Sequence, residues 1–378
     1  VEAAAREKGP DQSRELLRES VEAVVNVSDF DFELPDDLIA QHPPAVRGAS
    51  RLLVVHRDGA AGEHATFDAL PAYLRVGDLL VLNDTRVFPA RLIGHRVPSG
   101  GAVECLLVRR VSVEEVPAGG AETWEALMHP GQKLKPGAQV LFERDDVRID
   151  GEVLARHFFG RRTIRLRTSH ETLAAAIERV GHVPLPPYIK RGDEASDRDR
   201  YQTVYARESG SVAAPTAGLH FTARILEDLE ARGIEQITIT LHVGYGTFKP
   251  VRVSTVEDHE VDAEQYSVDT RAAAALTGAL REGRRIVAVG TTTTRALESL
   301  RIENGAVRPE VGETRLFIHP GHTFRLVNGL VTNFHLPKSS LLMLVAAFAG
   351  RDQILTVYRE AVARRYRFYS YGDAMLIL

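Results

Sequence analysis

After Ser169 the sequence alternates between short apolar runs and segments with helix-start and helix-stop signals, and this alternation constrains the fold more than any other feature. Thr168 and Glu171 form a capping-box pattern before Leu173, Ile177 and Val180. Thr222 is placed to cap a helix carrying Ile225, Leu226 and Leu229, with Gly233 as its stop. Residues 236–243 read as a strand, 270–281 as a helix stopped by Gly283, 285–289 as a strand and 291–300 as a helix. The apolar run 341–349 and a helix through Ile354, Leu355, Tyr358 and Val362 complete the series. This pattern predicts an α/β fold with a mostly parallel sheet flanked by helices. Residues 29–86 are of the same kind, with short buried-strand patterns at 52–55 and 79–82.

Between these stretches the text changes. From about Val87 to Thr168, short Val- and Leu-rich runs are split by SGG (99–101), AGG (118–120), PGQ (130–132) and KPG (135–137), with no long helix. Many short strands with Gly and Pro turns predict an inserted small β-barrel domain. The expected organisation is an appendage over 1–27, a discontinuous α/β catalytic domain over 28–86 and 169–378, and the barrel over 87–168. In the appendage, Leu16, Leu17, Val21, Val24 and Val25 would line one helical face behind a flexible tail.

Composition narrows the function classes. With 44% hydrophobic and 26% charged residues over 378 positions, the chain is globular rather than disordered. Cys105 is its one cysteine, so neither an internal disulfide nor a cysteine-based zinc site is available, and Cys105 reads as a buried small hydrophobe. A reducing, cytoplasmic setting is expected. The run 341–349 is too short to span a bilayer, and no basic start leads into an apolar core at the N-terminus. A net charge of −4 requires any RNA contact to use a local patch. One candidate is Arg148, Arg156, Arg161, Arg162, Arg165 and Arg167 around Phe158 and Phe159; the other is Arg364, Arg365 and Arg367 among Tyr366, Phe368 and Tyr369. Arginines beside aromatics suit phosphate contact and base stacking, and a solvated strand or helix face is the alternative for each.

Three strand-to-loop junctions have the composition of a ligand site. TLHVGYGTFKPV (240–251) places His242 before Gly244 and Gly246. VAVGTTTTRALES (287–299) opens a helix with a threonine run, whose free N–H groups suit an anion, and carries Arg295 one turn in. SVAAPTAGLHF (211–221) ends with His220 beside the Thr222 cap. In open α/β sheets ligands bind beyond the carboxyl ends of strands. The histidines show no metal spacing, and neither a phosphate-binding P-loop nor a GxGxxG opening a helix is present.

Taken together, these blocks and others resemble one family in collinear order from about Asp29 to the C-terminal end. They include FELPDDLIAQHP (32–43), SRLLVV (50–55), GDLLVLNDTRVFPARL (77–92), PGQKLKPG (130–137), GHVPLPPYI (181–189), YQTVYA (201–206), LVTNFHLPKSSLLMLVAAFAG (330–350) and YRFYSYGDAMLI (366–377). The family is that of the S-adenosylmethionine:tRNA ribosyltransferase-isomerases of queuosine biosynthesis. The resemblance implies transfer and rearrangement of the ribosyl part of S-adenosylmethionine onto 7-aminomethyl-7-deazaguanine in a tRNA anticodon, giving epoxyqueuosine and releasing adenine and methionine. It also implies S-adenosylmethionine and tRNA as partners, with S-adenosylmethionine consumed as substrate, no separate cofactor, no metal and no membrane. A monomer is expected.

That chemistry needs a base near the ribose carbon next to the sulfonium, an acid near the departing purine and an acceptor for the amine proton. The candidate catalytic residues are His220, His242, His259, Glu264 and Asp373, with His220 and His242 foremost. Candidates for gripping substrate are Gly244, Gly246, Thr247, Thr291, Thr292, Arg295, Asn333 and His335. Tyr188, Arg161, Arg162, Arg367 and Tyr371 are candidates for RNA contact. One block departs from the family: after GTFKPV the usual His-x-Met-His-x-Glu is His259, Glu260, Val261, Asp262, Ala263, Glu264 here. His129 also stands where Arg is common before PGQKLKPG. These departures leave open a transferase of the same fold with another acceptor; a non-catalytic RNA-binding protein is a third reading.

Overall fold

The computed structural model describes residues 25–59, 61–114, 120–169 and 172–378. A nine-stranded sheet runs in the order Glu310–Thr314, Glu264–Val268, Glu235–Leu241, Leu79–Asn83, Ile286–Val289, Gly329–Asn333, Ala374–Ile377, Arg51–Val55, Glu63–Thr66. The four strands from Glu235–Leu241 to Gly329–Asn333 are mutually parallel, and Ala374–Ile377 is parallel to Arg51–Val55. The remaining pairings are antiparallel, so the sheet is mixed: a parallel centre with antiparallel margins. Every residue of Leu79–Asn83, Ile286–Val289, Gly329–Asn333 and Ala374–Ile377 is buried. Helices cover both faces of these strands, which explains why they read as continuous apolar runs rather than alternating ones.

Local signals set the helices. Thr222 accepts a hydrogen bond from the Ile225 N–H (3.2 Å) and starts Ala223–Ala231. Helix Thr270–Glu282 ends on Gly283 at φ 64°, a left-handed cap that favours glycine. One expected cap is displaced. Thr168 ends a barrel strand, and its hydroxyl donates to the Arg148 carbonyl; the cap of Leu173–Val180 is Thr172, accepting from the Ala175 N–H at 3.1 Å. Helix Ser340–Ala349 buries most of its length in the core. Among the described residues no single helix is long and apolar enough to cross a membrane.

Six antiparallel strands close a barrel in the order Arg161–Thr168, Gly120–His129, Ala102–Glu114, Arg91–Val97, Gln139–Arg144, Val147–Arg156. Its interior is filled by Leu92, Cys105, Leu107, Phe142, Ile149, Ile164 and Leu166, and helix Leu173–Val180 adds Leu173, Ala176, Ile177 and Val180 to the same core. Burial pushes the Cys105 thiol well above its usual range, which fits an inert core residue. Leu16, Leu17, Val21 and Val24 of the expected N-terminal helical face lie outside the described residues. From Val25 the chain is engaged: Val27 N–H donates to the Ser254 carbonyl and Val256 N–H to that of Val25, each at 2.9 Å.

Candidate active site

The four parallel strands deliver their side chains to one edge. Thr85 follows Leu79–Asn83, His242 follows Glu235–Leu241, Thr291 follows Ile286–Val289, and Asn333 ends Gly329–Asn333. All lie at carboxyl ends, where the open α/β sheet places its ligands. A β-carbon built on Gly290, the residue before the threonine helix, would sit 3.7 Å from Ala217 of the short helix Thr216–His220. The His220 segment and the helix carrying Arg295 therefore adjoin.

An open, shallow pocket lies on this edge, lined by Gly246, Thr247, Asp262, Glu264 and Arg295 on its polar side. Leu316, Phe317, Ile318, Leu341 and Leu344 form its apolar side. Glu264 is buried and forms an ion pair with Arg295 Nη1. Its other oxygen accepts from the Gly244 N–H at 3.0 Å and the Thr247 hydroxyl at 3.2 Å. Arg295 Nε donates to the Leu316 carbonyl at 2.8 Å, while its Nη2 is buried without a hydrogen-bond partner among the described residues. A buried guanidinium with an unused donor is set up to receive an anionic group. Gly246 is required here, since a β-carbon would lie 2.7 Å from Asp262 Oδ2. His259 packs edge-on to the pocket's Phe317 at 5.0 Å between ring centres, and burial lowers its pKa.

Two histidines carry different arrangements. His242 Nδ1 lies 2.8 Å from Thr85 Oγ1, which is itself 2.7 Å from Ser211 Oγ. Ser211 Oγ accepts from the Val243 N–H. A β-carbon on Gly210 would be 2.7 Å from the His242 ring, so only glycine leaves that ring its place. No partner holds His242 Nε2 among the described residues, and burial lowers the ring's pKa. His220 is more enclosed. Asn333 Nδ2 donates to the Tyr369 carbonyl at 3.0 Å and lies 3.0 Å from His220 Nε2. A carbonyl only accepts, so the amide nitrogen faces both groups, His220 Nε2 is unprotonated, and Nδ1–H donates to Ser50 Oγ at 2.9 Å. Burial lowers the His220 pKa to about 4, and the ring is neutral near pH 7.

Several expected residues are placed elsewhere. Asp373 is 2% exposed and accepts from the Arg51 N–H, the Arg51 guanidinium and the Arg367 N–H, so it is tied to the strand Arg51–Val55 and to the Arg367 segment. His335 sits in the core: its Nε2 is 2.9 Å from Thr332 Oγ1, its N–H donates to Tyr358 Oη, and burial lowers its pKa to about 3. Tyr371 is buried and donates to Asp197 Oδ1 at 2.7 Å, so its ring is unavailable for stacking on RNA. Arg162 is 1% exposed and donates to the carbonyls of Leu134, Arg161 and Gly131; it clamps loops rather than contacting phosphate. Tyr188 stacks on Tyr369 with ring centres 3.9 Å apart. The residues not singled out from the sequence are Ser50, Thr85, Ser211 and Lys249, whose Nζ donates to Asp262 Oδ2. The first two lie inside the SRLLVV and NDTRV blocks, where a hydroxyl next to a strand end was the available signal. Among the described residues no three His, Cys, Asp or Glu side chains converge as metal ligands.

The α/β scaffold with its inserted barrel holds its polar groups beyond parallel strand ends, where open α/β sheets bind small molecules. A family model described as queuosine biosynthesis protein matches residues 27–377, and the chain belongs to that family. It is 52% identical over 354 residues to the S-adenosylmethionine:tRNA ribosyltransferase-isomerase of Symbiobacterium thermophilum, covering 94% of this chain and 100% of that one. It is also 52% identical to the protein of that name from an Anaeromyxobacter species, covering 93% and 99%. The crystal structure of an S-adenosylmethionine tRNA ribosyltransferase from Thermotoga maritima is 39% identical, covers 93% of this chain and all of that one, and superposes with a TM-score of 0.52.

Proposed function

We propose that this chain is an S-adenosylmethionine:tRNA ribosyltransferase-isomerase of queuosine biosynthesis. It transfers and isomerises the ribosyl moiety of S-adenosylmethionine onto 7-aminomethyl-7-deazaguanine in tRNA, giving epoxyqueuosine-tRNA with release of adenine and methionine. The observation that carries this reading within the site is the uncommitted Nη2 of buried Arg295 beside an apolar wall. S-adenosylmethionine has the matching parts, a carboxylate at one end and a flat purine at the other.

In this scheme Arg295 anchors the carboxylate, and Glu264 fixes the guanidinium while offering negative charge to the sulfonium. The sulfonium acidifies the adjacent ribose C–H, and His242 is the group that takes a proton through its free Nε2. Its lowered pKa keeps it unprotonated at neutral pH. His220, with both ring nitrogens engaged, and Asn333 shape the neighbouring wall. The test is adenine release on mixing the chain with S-adenosylmethionine and precursor-bearing tRNA. No release with that tRNA, or equal release with tRNA lacking the aminomethyl group, overturns it.

A further inference from the structure

Phe158 and Phe159 are 86% and 92% exposed at the turn joining barrel strands Val147–Arg156 and Arg161–Thr168. Phe159 sits at φ 55°, a conformation that bulky side chains seldom adopt. The turn is nevertheless well tied. His157 N–H donates to the Arg161 carbonyl at 2.9 Å, Arg161 N–H to that of Phe158 at 3.1 Å, and Met128 N–H to that of Gly160 at 3.1 Å. Buried Arg162 then joins this turn to its neighbour by donating to the carbonyls of Gly131 and Leu134. Two loops, 129–137 and 156–161, thus lie side by side at one end of the barrel.

That end is cationic. The loops carry Lys133, Lys135, Arg156 and Arg161 and contain no Asp or Glu, in a chain of net charge −4. It also lies beside the pocket, because Arg161 Nη2 donates to Asp262 Oδ2, a pocket-lining residue, at 3.1 Å. Exposed aromatic faces among cations, next to a small-molecule pocket, match a single-stranded nucleic acid presenting one base to that pocket. A duplex would offer no free base faces, whereas an anticodon loop does.

We propose that this barrel end holds the tRNA anticodon loop, with Phe158 and Phe159 stacking on unpaired bases beside the nucleotide being modified and Lys133, Lys135 and Arg156 contacting phosphates. The inference rests on tRNA being the acceptor. The experiment measures binding of a precursor-bearing anticodon stem-loop RNA to the full chain, with S-adenosylmethionine binding in parallel. Phe158→Ala and Phe159→Ala should each weaken RNA binding about tenfold or more, on the usual scale of base–aromatic stacking. Dissociation of S-adenosylmethionine should stay within about twofold, and the Phe158→Trp/Phe159→Trp pair should restore RNA affinity, since a larger ring still stacks. Unchanged RNA affinity in a Phe158→Ala/Phe159→Ala chain overturns the proposal while wild-type adenine release upholds the enzymatic reading. A changed sedimentation coefficient with unchanged RNA affinity also overturns it and assigns the patch to a protein contact. Failure of the wild-type chain to bind the RNA at all brings down both.

Discussion

Arg161 reaches from the barrel to Asp262 beside the sheet, Nη2 to Oδ2 at 3.1 Å, on the carboxylate oxygen that Lys249 Nζ also approaches at 2.6 Å. Asp262 lies in the segment 259–264 that follows GTFKPV. With two cations on one oxygen, it links the barrel to the segment beside the sheet. Both Arg161 and Asp262 are more than a third exposed, so the coupling is small, about 0.2–1 kcal/mol in an Arg161→Ala/Asp262→Ala double-mutant cycle. Asp262→Asn should keep single-turnover adenine release within about tenfold of wild type, the scale below that of a positioned acid or base. A loss as large as that of a histidine variant makes Asp262 a working proton carrier.

His242→Ala should lower single-turnover adenine release at saturating substrate roughly a hundredfold or more, the effect of removing a positioned base. Thr85→Val, which removes the hydroxyl orienting the ring, should lower it less while leaving the S-adenosylmethionine affinity near wild type. If His242→Ala reacts at the wild-type rate, the proton acceptor lies elsewhere.

Glu264→Gln leaves the buried Arg295 charge without its partner and should destabilise the fold by about 3–5 kcal/mol in urea unfolding. A Glu264→Gln/Arg295→Met chain should regain much of that stability, because the lone buried charge is gone, and should bind S-adenosylmethionine far more weakly. Equal stability of the Glu264→Gln chain and wild type contradicts a buried ion pair.

Acid should weaken the fold through two histidines. Burial holds His220 near a pKa of about 4 and His335 near about 3, both below the ordinary value of 6.5. The unfolded chain therefore binds more protons than the native one below about pH 6.5, and stability falls as pH drops. Each ring contributes about 1.4 kcal/mol per pH unit until its own folded pKa is reached. His335→Asn removes one of these uptakes, so its stability deficit relative to wild type should narrow between pH 6.5 and 4. Parallel stability profiles of the two chains over that range rule out a neutral buried His335.

Much of the frame was legible because local chemistry wrote it: the Thr222 cap, the Gly283 stop, the threonine run after a strand, and the Gly and Pro turns of the barrel. Arg162 was also legible in principle. Residues 162, 164, 166 and 168 alternate with 161, 163, 165 and 167 along one strand, and Ile164 and Leu166 mark the inward face. A count of arginines hid that periodicity. The structural partners of Asp373 and Tyr371 were not legible, for another reason. Arg51 and Asp197 lie 322 and 174 positions away, and no local pattern reports a pairing at that range. The antiparallel margins of the sheet have the same origin, since helix–strand alternation fixes neighbours along the chain and not the direction of returning edge strands.

Ala374–Ile377 lies inside the sheet, between Gly329–Asn333 and Arg51–Val55. Leu52 pairs with Ala374, so an early strand waits for one made roughly 320 residues later, which at ribosomal speeds is on the order of a quarter to a full minute. During translation the Arg51–Val55 and Glu63–Thr66 hairpin presents an apolar edge with no neighbour. Loss of Ala374–Ile377 would therefore cut the sheet in two rather than trim its border.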